Sequence, residues 1–444
     1  MNDRVVPAPV RRGDSGENET LEYKRSEVGS VPTDWEVVPF SALFEFRNGV
    51  NADKSAYGLG VPFINVLEII TKSHLVRKDV PGRVSLSSDL IASFAVRRGD
   101  LIFNRTSETQ EEVGLAAVYL DDEPTVFGGF VIRGRSKTPA FDSIYVGYAL
   151  RAPSIRSQII ARGQGAIRAN IGQADLRQVF APIPRLAEQR AIAAALSDVD
   201  RLIGALDRLI AKKRAVKLGA MQQLLTGRTR LPGFGGEWAT KIIGEFADCI
   251  AGGTPSTAVP AFWGGHVRWM SSGELNQKYV TEVEGRITDL GLKNSSAKMI
   301  PPKSVLIGLA GQGRTRGTVA MNLVGLATNQ SIAAILPNRH YAAEYLYHNL
   351  DSRYDELRAL STGEGGRGGL NLTIIKSLLV PFPKVEEQRA IATVLSDMDA
   401  EIAALERRRE KTKAIKQGMM QVLLTGRVRL VAPAESEVAL EGGA

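Results

Sequence analysis

The amino-acid sequence predicts an α+β fold: two mixed α/β domains joined by two long helices that pair as an antiparallel coiled coil, in a pseudo-two-fold repeat. Three observations support this prediction. The segment 182–231 recurs without a gap as 381–430. Apolar residues in both segments follow the heptad spacing of a coiled coil. Each segment follows about 150 residues in which short apolar runs alternate with glycine-rich turns, a pattern typical of strands and loops.

The two copies of the repeat are similar along their whole length. The first contains PIPRLAEQRAIAAALSDVD and later KLGAMQQLLTGRTRL, and the second contains PFPKVEEQRAIATVLSDMD and KQGMMQVLLTGRVRL. Roughly 29 of 50 aligned positions are identical, against about 3 expected by chance. The similarity therefore comes from a duplication and not from a shared helical composition.

Both copies are predicted to be long helices. Glycine in Thr226–Gly227 and Thr425–Gly426 can adopt the left-handed cap that ends a helix. Gly219 and Gly418 indicate either a close approach of another backbone or a tolerated defect. The predicted helix seam consists of Ile192, Leu196, Val199, Ile203 and Leu206 in the first copy and of Ile391, Leu395, Met398, Ile402 and Leu405 in the second.

Charge is distributed unevenly along each helix. The first half is acidic, as at Asp200 and Asp399, and the second half is basic, as at Lys217 and Lys416. The helix macrodipole alone could explain this asymmetry. Antiparallel pairing also explains it, because each acidic half would then face the basic half of the other helix. We therefore expect the two helices to run antiparallel.

The repeat divides the chain into six segments. We predict a disordered N-terminal extension at 1–30, mixed domains at 31–181 and 232–380, helical regions at 182–231 and 381–430, and a flexible tail at 431–444. The two mixed domains barely resemble each other in sequence.

The composition narrows the class of protein. Lysine and arginine number 56 against 48 acidic residues, a formal net charge of +8, which favours an anionic partner such as nucleic acid. The single cysteine, Cys249, excludes an internal disulfide and is interpreted as a small core residue. No apolar run reaches the roughly 18 residues that a membrane span needs. We expect a cytoplasmic protein without membrane contact.

Recognisable catalytic motifs are missing from the sequence. It has no Walker A motif, and the G-x-G-x-x-G match at 363–368 opens no helix. His340, Glu344 and His348 have a spacing that could hold a metal, but neighbouring tyrosines favour an ordinary packed helix. We predict no catalytic residue and no metal site.

The paired motifs resemble those of specificity subunits of type I restriction–modification systems. The resemblance rests on P-x-P-x-x-x-E-Q-R-x-I-A-x-x-L-S-D-x-D followed by K-x-G-x-M-Q-x-L-L-T-G-R-x-R-L, present twice, and it covers 31–430. The polar N-terminal extension departs from the pattern. The resemblance implies that the mixed domains are target recognition domains 1 and 2 of a non-catalytic subunit of a prokaryotic complex.

The resemblance also implies partners. They are double-stranded DNA, two methyltransferase subunits and a restriction/translocase subunit, with S-adenosylmethionine, ATP and Mg on the partner subunits and no cofactor on this chain. The predicted function is recognition of a bipartite, asymmetric DNA target that directs methylation and restriction by these partners. An antiparallel helix pair would hold the two domains over two half-sites and set their separation.

The sequence leaves two alternative functions. A standalone restriction–modification enzyme would need a catalytic motif. A coiled-coil scaffold without DNA function would not need the arginine-bearing polar loops and the basic charge.

Polar loops near predicted strand ends are candidate DNA contacts, because arginine suits guanine and asparagine or glutamine suits adenine in the major groove. In the first domain they are Asn104, Arg105, Thr106, Ser107, Arg162, Gln164, Arg168 and Asn170. In the second domain they are Gln312, Arg314, Thr315, Arg316, Asn329, Gln330, Arg367 and Asn371. Solvated surface explains any single one of them equally well.

Overall fold

A computed structural model describes residues 22–137, 141–165, 168–311, 315–360 and 369–431. The chain forms two compact units. Unit 1 comprises Met1–Ala205 and Arg409–Ala444, and unit 2 comprises Leu206–Arg408. Each unit therefore contains one mixed domain, the first half of one long helix and the second half of the other.

Unit 1 is built from short strands and helices that precede the first long helix. In chain order they are β1 (Tyr23–Ser26), β2 (Gly29–Pro32), β3 (Glu36–Pro39), α1 (Phe40–Leu43), β4 (Phe44–Asn48), β5 (Tyr57–Ile64), α2 (Val66–Thr71), β6 (His74–Leu75), β7 (Arg83–Val84), α3 (Ser88–Ser93), β8 (Leu101–Asn104), β9 (Thr106–Ser107), β10 (Ala116–Tyr119), β11 (Val126–Phe127), β12 (Val131–Ser136), α4 (Ser143–Ala149), α5 (Pro153–Arg162), β13 (Ala169–Asn170), α6 (Gln173–Arg177), β14 (Phe180–Ile183) and α7 (Leu186–Leu224).

Unit 2 follows the same plan. Its elements are β15 (Ala239–Ile242), α8 (Ile243–Phe246), β16 (Cys249–Ala251), β17 (Trp263–Met270), β18 (Tyr279–Val280), β19 (Arg286–Ile287), α9 (Asp289–Lys293), β20 (Val305–Gly308), β21 (Val319–Asn322), β22 (Ala327–Thr328), β23 (Ile332–Ile335), α10 (Ala343–Asp351), α11 (Tyr354–Ala359), α12 (Leu372–Ser377), β24 (Leu379–Phe382) and α13 (Val385–Leu423).

The sheets of the two units have equivalent topologies. In unit 1 the larger sheet has the order β4-β12-β8-β10-β6 and the smaller one β11-β5-β7, while β14 pairs with β3. In unit 2 the corresponding orders are β16-β23-β20-β21-β18, β19-β17-β22 and β15-β24. The larger sheet is antiparallel except at one edge, where β6 and β18 run parallel to β10 and β21. The fold is thus the predicted α+β repeat, although the domain sequences differ.

The larger sheet of unit 1 is buried on both faces. Side chains alternate between the faces of a strand, so Leu101 and Phe103 of β8 pack with α4 and α5 at Val146 and Ile155. Ile102, between them, belongs to a separate cluster on the opposite face. Such two-sided burial explains why the sequence shows continuous apolar runs there instead of a polar alternation.

The two long helices pair antiparallel within each unit, as the charge pattern predicts. In unit 1, Lys416 of α13 lies 2.7 Å from Asp200 of α7. In unit 2, Lys217 of α7 lies 2.5 Å from Asp399 of α13. Among the seam residues, Ile192, Leu196, Leu206, Ile391, Leu395 and Ile402 are buried and Val199, Ile203, Met398 and Leu405 are half-buried.

The glycines at the helix ends and within the helices have different roles. Gly227 and Gly426 adopt φ angles of 71° and 70°, so both are left-handed caps as expected. A Cβ atom added at Gly219 or Gly418 would meet nothing within 4 Å in the described part of the chain. No close backbone approach therefore requires the internal glycines there.

The predicted N-terminal disorder is wrong for its last residues. β1 and β2 form an antiparallel hairpin in which Tyr23 pairs with Pro32, and the Tyr23 hydroxyl donates to the Gly426 carbonyl at 3.2 Å. This order comes from a contact with the far end of the chain, which local composition cannot indicate. Residues 1–21 and 432–444, which hold the rest of the predicted extension and almost all of the tail, lie outside the described residues.

Neither the two 39-residue helices nor any shorter described helix has the apolar run that crossing a membrane would require. Cys249 is buried in the core of unit 2. Burial raises the pKa of its thiol to about 11, as suits a packed side chain and not a nucleophile.

Candidate nucleic-acid interface

The repeated motifs hold each domain to the ends of the helices. In unit 1, the buried Glu188 carboxylate accepts hydrogen bonds from Trp35 Nε1 at 3.0 Å and from Arg429 Nε at 2.5 Å. In unit 2, Glu387 accepts from Trp238 Nε1 at 3.1 Å and from Arg230 Nε at 2.6 Å. The glutamate of each E-Q-R motif is therefore paired with the last arginine of the T-G-R-x-R-L motif in the other copy.

Arg429 has a second acidic partner, since its terminal nitrogens donate to both oxygens of Asp34 at 2.9 and 2.8 Å. The hydrogen bond from Arg429 lowers the pKa of Asp34. Burial alone would lower the pKa of Arg429, but its hydrogen bonds to Asp34 and Glu188 outweigh burial and raise it. Asp34 and Arg429 are thus held in their charged forms.

The glutamine of each E-Q-R motif fixes the start of the helix. Gln189 donates to the Pro184 carbonyl at 2.9 Å and accepts from the Asp142 amide at 2.9 Å. Gln388 makes the same pair of bonds, to Pro383 and from Ala342, at 2.9 Å each. These motif residues therefore orient α4 and α10 on the long helices, a structural role that both units need equally.

A buried polar cluster joins the domain to the helix pair in unit 1. The Tyr148 hydroxyl donates to Asp200 at 2.7 Å, and the Lys416 ammonium lies over the Tyr148 ring at 5.1 Å. The ring of His74 packs edge-on against Tyr148, with 4.6 Å between centroids. Burial lowers the pKa of His74, so the imidazole stays neutral beside the ion pair.

Unit 2 has the same cluster with histidine and tyrosine exchanged. Here the strand residue is Tyr279, which donates to Asp399 at 3.3 Å, and the helix residue is His348, whose Nε2 lies 3.1 Å from Ser396 Oγ. Burial lowers the pKa of His348 to about 4. α10 begins at Ala343, so His340 precedes the helix and does not share a helix face with Glu344 and His348 as the spacing predicts. The described residues hold no cluster of three or more side chains that could bind a metal.

The structure brings together two of the polar loops predicted to contact DNA in unit 1. β9 and β13 pair, so that Thr106 and Asn170 are adjacent, and the Thr106 hydroxyl donates to Asn170 Oδ1 at 2.7 Å. Gln164 exchanges two backbone hydrogen bonds with Asn170. Arg168 lies 4.0 Å from Glu108. Residues 105–108, 164–165 and 168–170 thus form one polar surface at the end of β8.

Three of the side chains predicted to contact DNA in this domain make hydrogen bonds within the domain instead. The Asn104 side chain is fully buried and donates to the Glu112 carbonyl at 3.2 Å. Ser107 is buried too and donates to the Glu112 carboxylate at 3.1 Å. Arg162 caps its own helix at the Gln158 carbonyl, 3.0 Å away. The prediction of DNA-contacting side chains is therefore corrected for Asn104 and Ser107, because both shape the loop from within.

Arg105 lies beside the turn between β11 and β12. Its backbone amide donates to the Phe130 carbonyl at 2.9 Å, and its guanidinium donates to the Gly129 carbonyl at 3.4 Å. No acidic side chain pairs with Arg105 in the described ranges. Phe130 is 60% exposed next to it. Phe130 is not among the residues predicted from the sequence, because it stands in the apolar run 126–132, where a buried side chain is expected.

The corresponding turn of unit 2 carries polar side chains. It lies between β22 and β23 at Asn329, Gln330 and Ser331. Gln330 accepts a hydrogen bond from Thr254 at 2.5 Å, and Asn329 accepts one from the Ser331 amide at 3.1 Å. Gln330 is exposed, so its amide remains available beyond the bond to Thr254.

The other predicted contacts of unit 2 are spread more widely. Thr315 and Arg316 are half-buried in the loop that follows β20. Asn371 is the N-cap of α12, where its side chain accepts from the Ile374 amide at 2.9 Å, so a structural role accounts for it. Gln312, Arg314 and Arg367 lie outside the described residues.

Comparisons with known proteins show which proteins the chain is similar to. Residues 235–416 match the type I restriction modification DNA specificity domain. The chain is 24% identical to the type I restriction enzyme MjaX specificity subunit of Methanocaldococcus jannaschii over 92% of this chain and 97% of that protein. It is 30% identical to the EcoR124I/EcoR124II specificity subunit of Escherichia coli over 37% of this chain and 41% of that protein.

A solved structure has the same fold. The type I restriction–modification S subunit from M. genitalium superposes with a TM-score of 0.57 and 15% identity, covering 92% of this chain and 98% of that one. The comparisons thus agree with the helix-end motifs and with the repeated domain. Over most of its length the chain is thus similar to specificity subunits of type I restriction–modification systems.

Proposed function

We propose that the chain reads an asymmetric, bipartite DNA target, one half-site with each unit, and thereby directs DNA methylation by partner subunits. One observation carries the proposal. At the same place on the same sheet framework, unit 1 has Arg105 and Phe130 where unit 2 has Leu309 and Ser331, because the Arg105 amide donates to the Phe130 carbonyl at 2.9 Å as the Leu309 amide does to the Ser331 carbonyl at 2.8 Å. Beside Ser331, unit 2 exposes Gln330. Equal frameworks would approach a duplex in the same way, and different side chains would read different bases.

Hydrogen-bonding chemistry supports a role of this surface in base reading. Arg105 lacks an acidic partner among the described residues and makes one long hydrogen bond to the Gly129 carbonyl. An arginine guanidinium can donate two bonds to guanine in the major groove. Gln330 is the type of side chain that pairs with adenine. Thr106, Gln164, Arg168 and Asn170 extend the polar surface of unit 1 and would supply further contacts to bases or phosphates.

The long helices and their motifs are similar in the two units, so each unit suits the same kind of partner subunit. The long helices and the motif residues at their ends, such as Glu188 and Glu387, are arranged alike in both units. We therefore assign one methyltransferase subunit to each unit, with S-adenosylmethionine bound on that partner. A restriction/translocase subunit that uses ATP and Mg would add DNA cleavage. This chain supplies target recognition to both reactions.

The length of the helices would set the spacing of the half-sites. Each is 39 residues long and continues from one unit into the other. A continuous helix advances about 1.5 Å per residue. The number of helical residues between the domains would therefore determine the number of base pairs between the two half-sites.

The proposal is tested by sequencing the methylome of the host with and without this gene. We expect one adenine-methylated motif to disappear with the gene, and the motif to consist of two different half-sites separated by unspecified base pairs. A palindromic or continuous motif, or an unchanged methylome in a host that expresses the methyltransferase, would contradict the proposal.

A further inference from the structure

We propose that Phe130 is a specificity-determining residue that contacts the C5-methyl group of a thymine in the major groove of the half-site read by unit 1. This inference rests on the proposed function and names one chemical feature of the target. Four observations on the turn at 128–130 support it. The Phe130 ring is exposed, the backbone of the turn is tightly held, polar side chains lie beside it, and the equivalent turn of unit 2 has no aromatic residue.

Phe130 is exposed although apolar residues close to it in the chain are buried. Phe127 and Val131 are 0% exposed, whereas Phe130 is 60% exposed. No aromatic or cation–π contact involves the Phe130 ring within the described segments. Covering the ring would remove apolar surface from water, which is worth about 25 cal/mol per Å², so an apolar group on a ligand would be bound favourably.

The backbone that carries Phe130 is tightly held. A Cβ atom added at Gly129 would come within 1.8 Å of Asn51 Oδ1, and one added at Gly128 within 2.6 Å of the Phe63 ring. The Val131 amide closes the turn on the Gly128 carbonyl at 2.9 Å. A larger residue at either position would force Asn51 or Phe63 to move, and a side chain presented from a fixed turn loses little backbone entropy on binding.

The setting of Phe130 indicates the kind of ligand. The Arg105 amide donates to the Phe130 carbonyl at 2.9 Å, so the aromatic ring and the guanidinium, which has no acidic partner among the described residues, leave adjacent backbone positions. Thr106 and Asn170 continue the surface with hydroxyl and amide groups. The major groove presents guanine acceptors and thymine methyl groups side by side. An arginine and a phenylalanine on neighbouring backbone segments match a guanine close to a thymine.

Unit 2 provides a comparison within the same molecule. The equivalent turn holds Asn329, Gln330 and Ser331 between β22 and β23, and none of these three side chains offers a large apolar surface. A thymine methyl contact from this turn should therefore occur in one half-site only. That asymmetry distinguishes the inference from a general preference of the protein for thymine-rich DNA.

The test uses the complex of this chain with its methyltransferase and the motif found by methylome sequencing. Deoxyuridine replaces each thymine of both half-sites in turn, which removes one methyl group and no hydrogen bond. We expect binding to weaken about fourfold at one position in the unit 1 half-site, as one buried methyl implies. In Phe130→Ala, binding to the unmodified duplex should weaken by at least as much, and deoxyuridine at that position should have no further effect.

Leu90→Ala is the matched control, since Leu90 is another exposed apolar residue of unit 1, on α3. It should bind like the wild type and keep the sensitivity to deoxyuridine. Retained sensitivity in Phe130→Ala, or weakening of binding to every duplex alike, would overturn the inference; the latter result would instead fit a wedge between base pairs. Failure of the wild-type complex to bind the motif would count against the proposed function itself.

Discussion

The Glu188 carboxylate lies 2.5 Å from Arg429 Nε, although 241 residues separate the two in the chain. Each residue belongs to a different copy of the duplicated segment, and the pair Glu387 and Arg230 repeats the contact in unit 2. The E-Q-R motif of each copy therefore contacts the T-G-R-x-R-L motif of the other copy. This explains why the two motifs are both kept in each copy of the repeat.

Removing Arg429 should destabilise unit 1. In Arg429→Met the buried Glu188 and the neighbouring Asp34 would lose their cation, and breaking a buried pair in this way costs about 3–5 kcal/mol. The free energy of unfolding, measured with urea, checks the prediction. Arg427→Met is the control, because Arg427 belongs to the same motif but is exposed. Similar losses in both variants would show that the ion pair contributes little.

Replacing Arg105 should affect one half-site. We expect Arg105→Ala to weaken binding by about 1–3 kcal/mol, and only for duplexes that carry the correct unit 1 half-site. Competition binding against duplexes with either half-site scrambled measures the effect. Arg98→Ala serves as the control, since Arg98 already pairs with Asp122 at 2.8 Å. Equal weakening on scrambled DNA would reduce the role of Arg105 to a phosphate contact.

Lengthening both long helices should lengthen the spacer of the target. Four residues inserted at facing positions of α7 and α13 add about 6 Å, close to two base pairs. Methylome sequencing of a host with the altered gene should then show the same two half-sites with a longer spacer. The same four residues placed in the tail after 431 should leave the spacer as it was. An unchanged spacer in the helix variant would disprove a ruler function.

The stability of unit 2 should depend on the protonation of His348. Burial lowers the pKa of His348 to about 4 in the folded chain, whereas an unfolded histidine titrates near 6.5. Between these values only the unfolded state binds the proton, so stability is complete above about pH 6.5 and falls as pH decreases toward 4. The slope would approach about 1.4 kcal/mol per pH unit.

Urea unfolding at several pH values measures this slope. In His348→Asn the contribution to the slope should vanish, whereas His340→Asn should keep it because His340 is exposed. Identical pH dependence in the wild type and in His348→Asn would refute the prediction.

Local patterns were sufficient to predict a large part of this protein. Heptad spacing indicates both long helices, opposite charges in their halves indicate antiparallel pairing, and glycine indicates the caps at Gly227 and Gly426. These features depend on residues a few positions apart or on a property repeated along a helix, so they can be recognised without knowledge of the contacts. The duplicated motifs likewise predicted the family.

Contacts between distant residues determine the remainder. The side chain of Asn104 is buried and Phe130 is exposed, the reverse of what their polarity indicates, because the packing of β8 against the loop at 112 and the turn at 128–130 decides it. His74 and Tyr148 exchange places with Tyr279 and His348 in unit 2. An exchange of this kind preserves the cluster in space while erasing the similarity in sequence, since only the tertiary fold brings its members together.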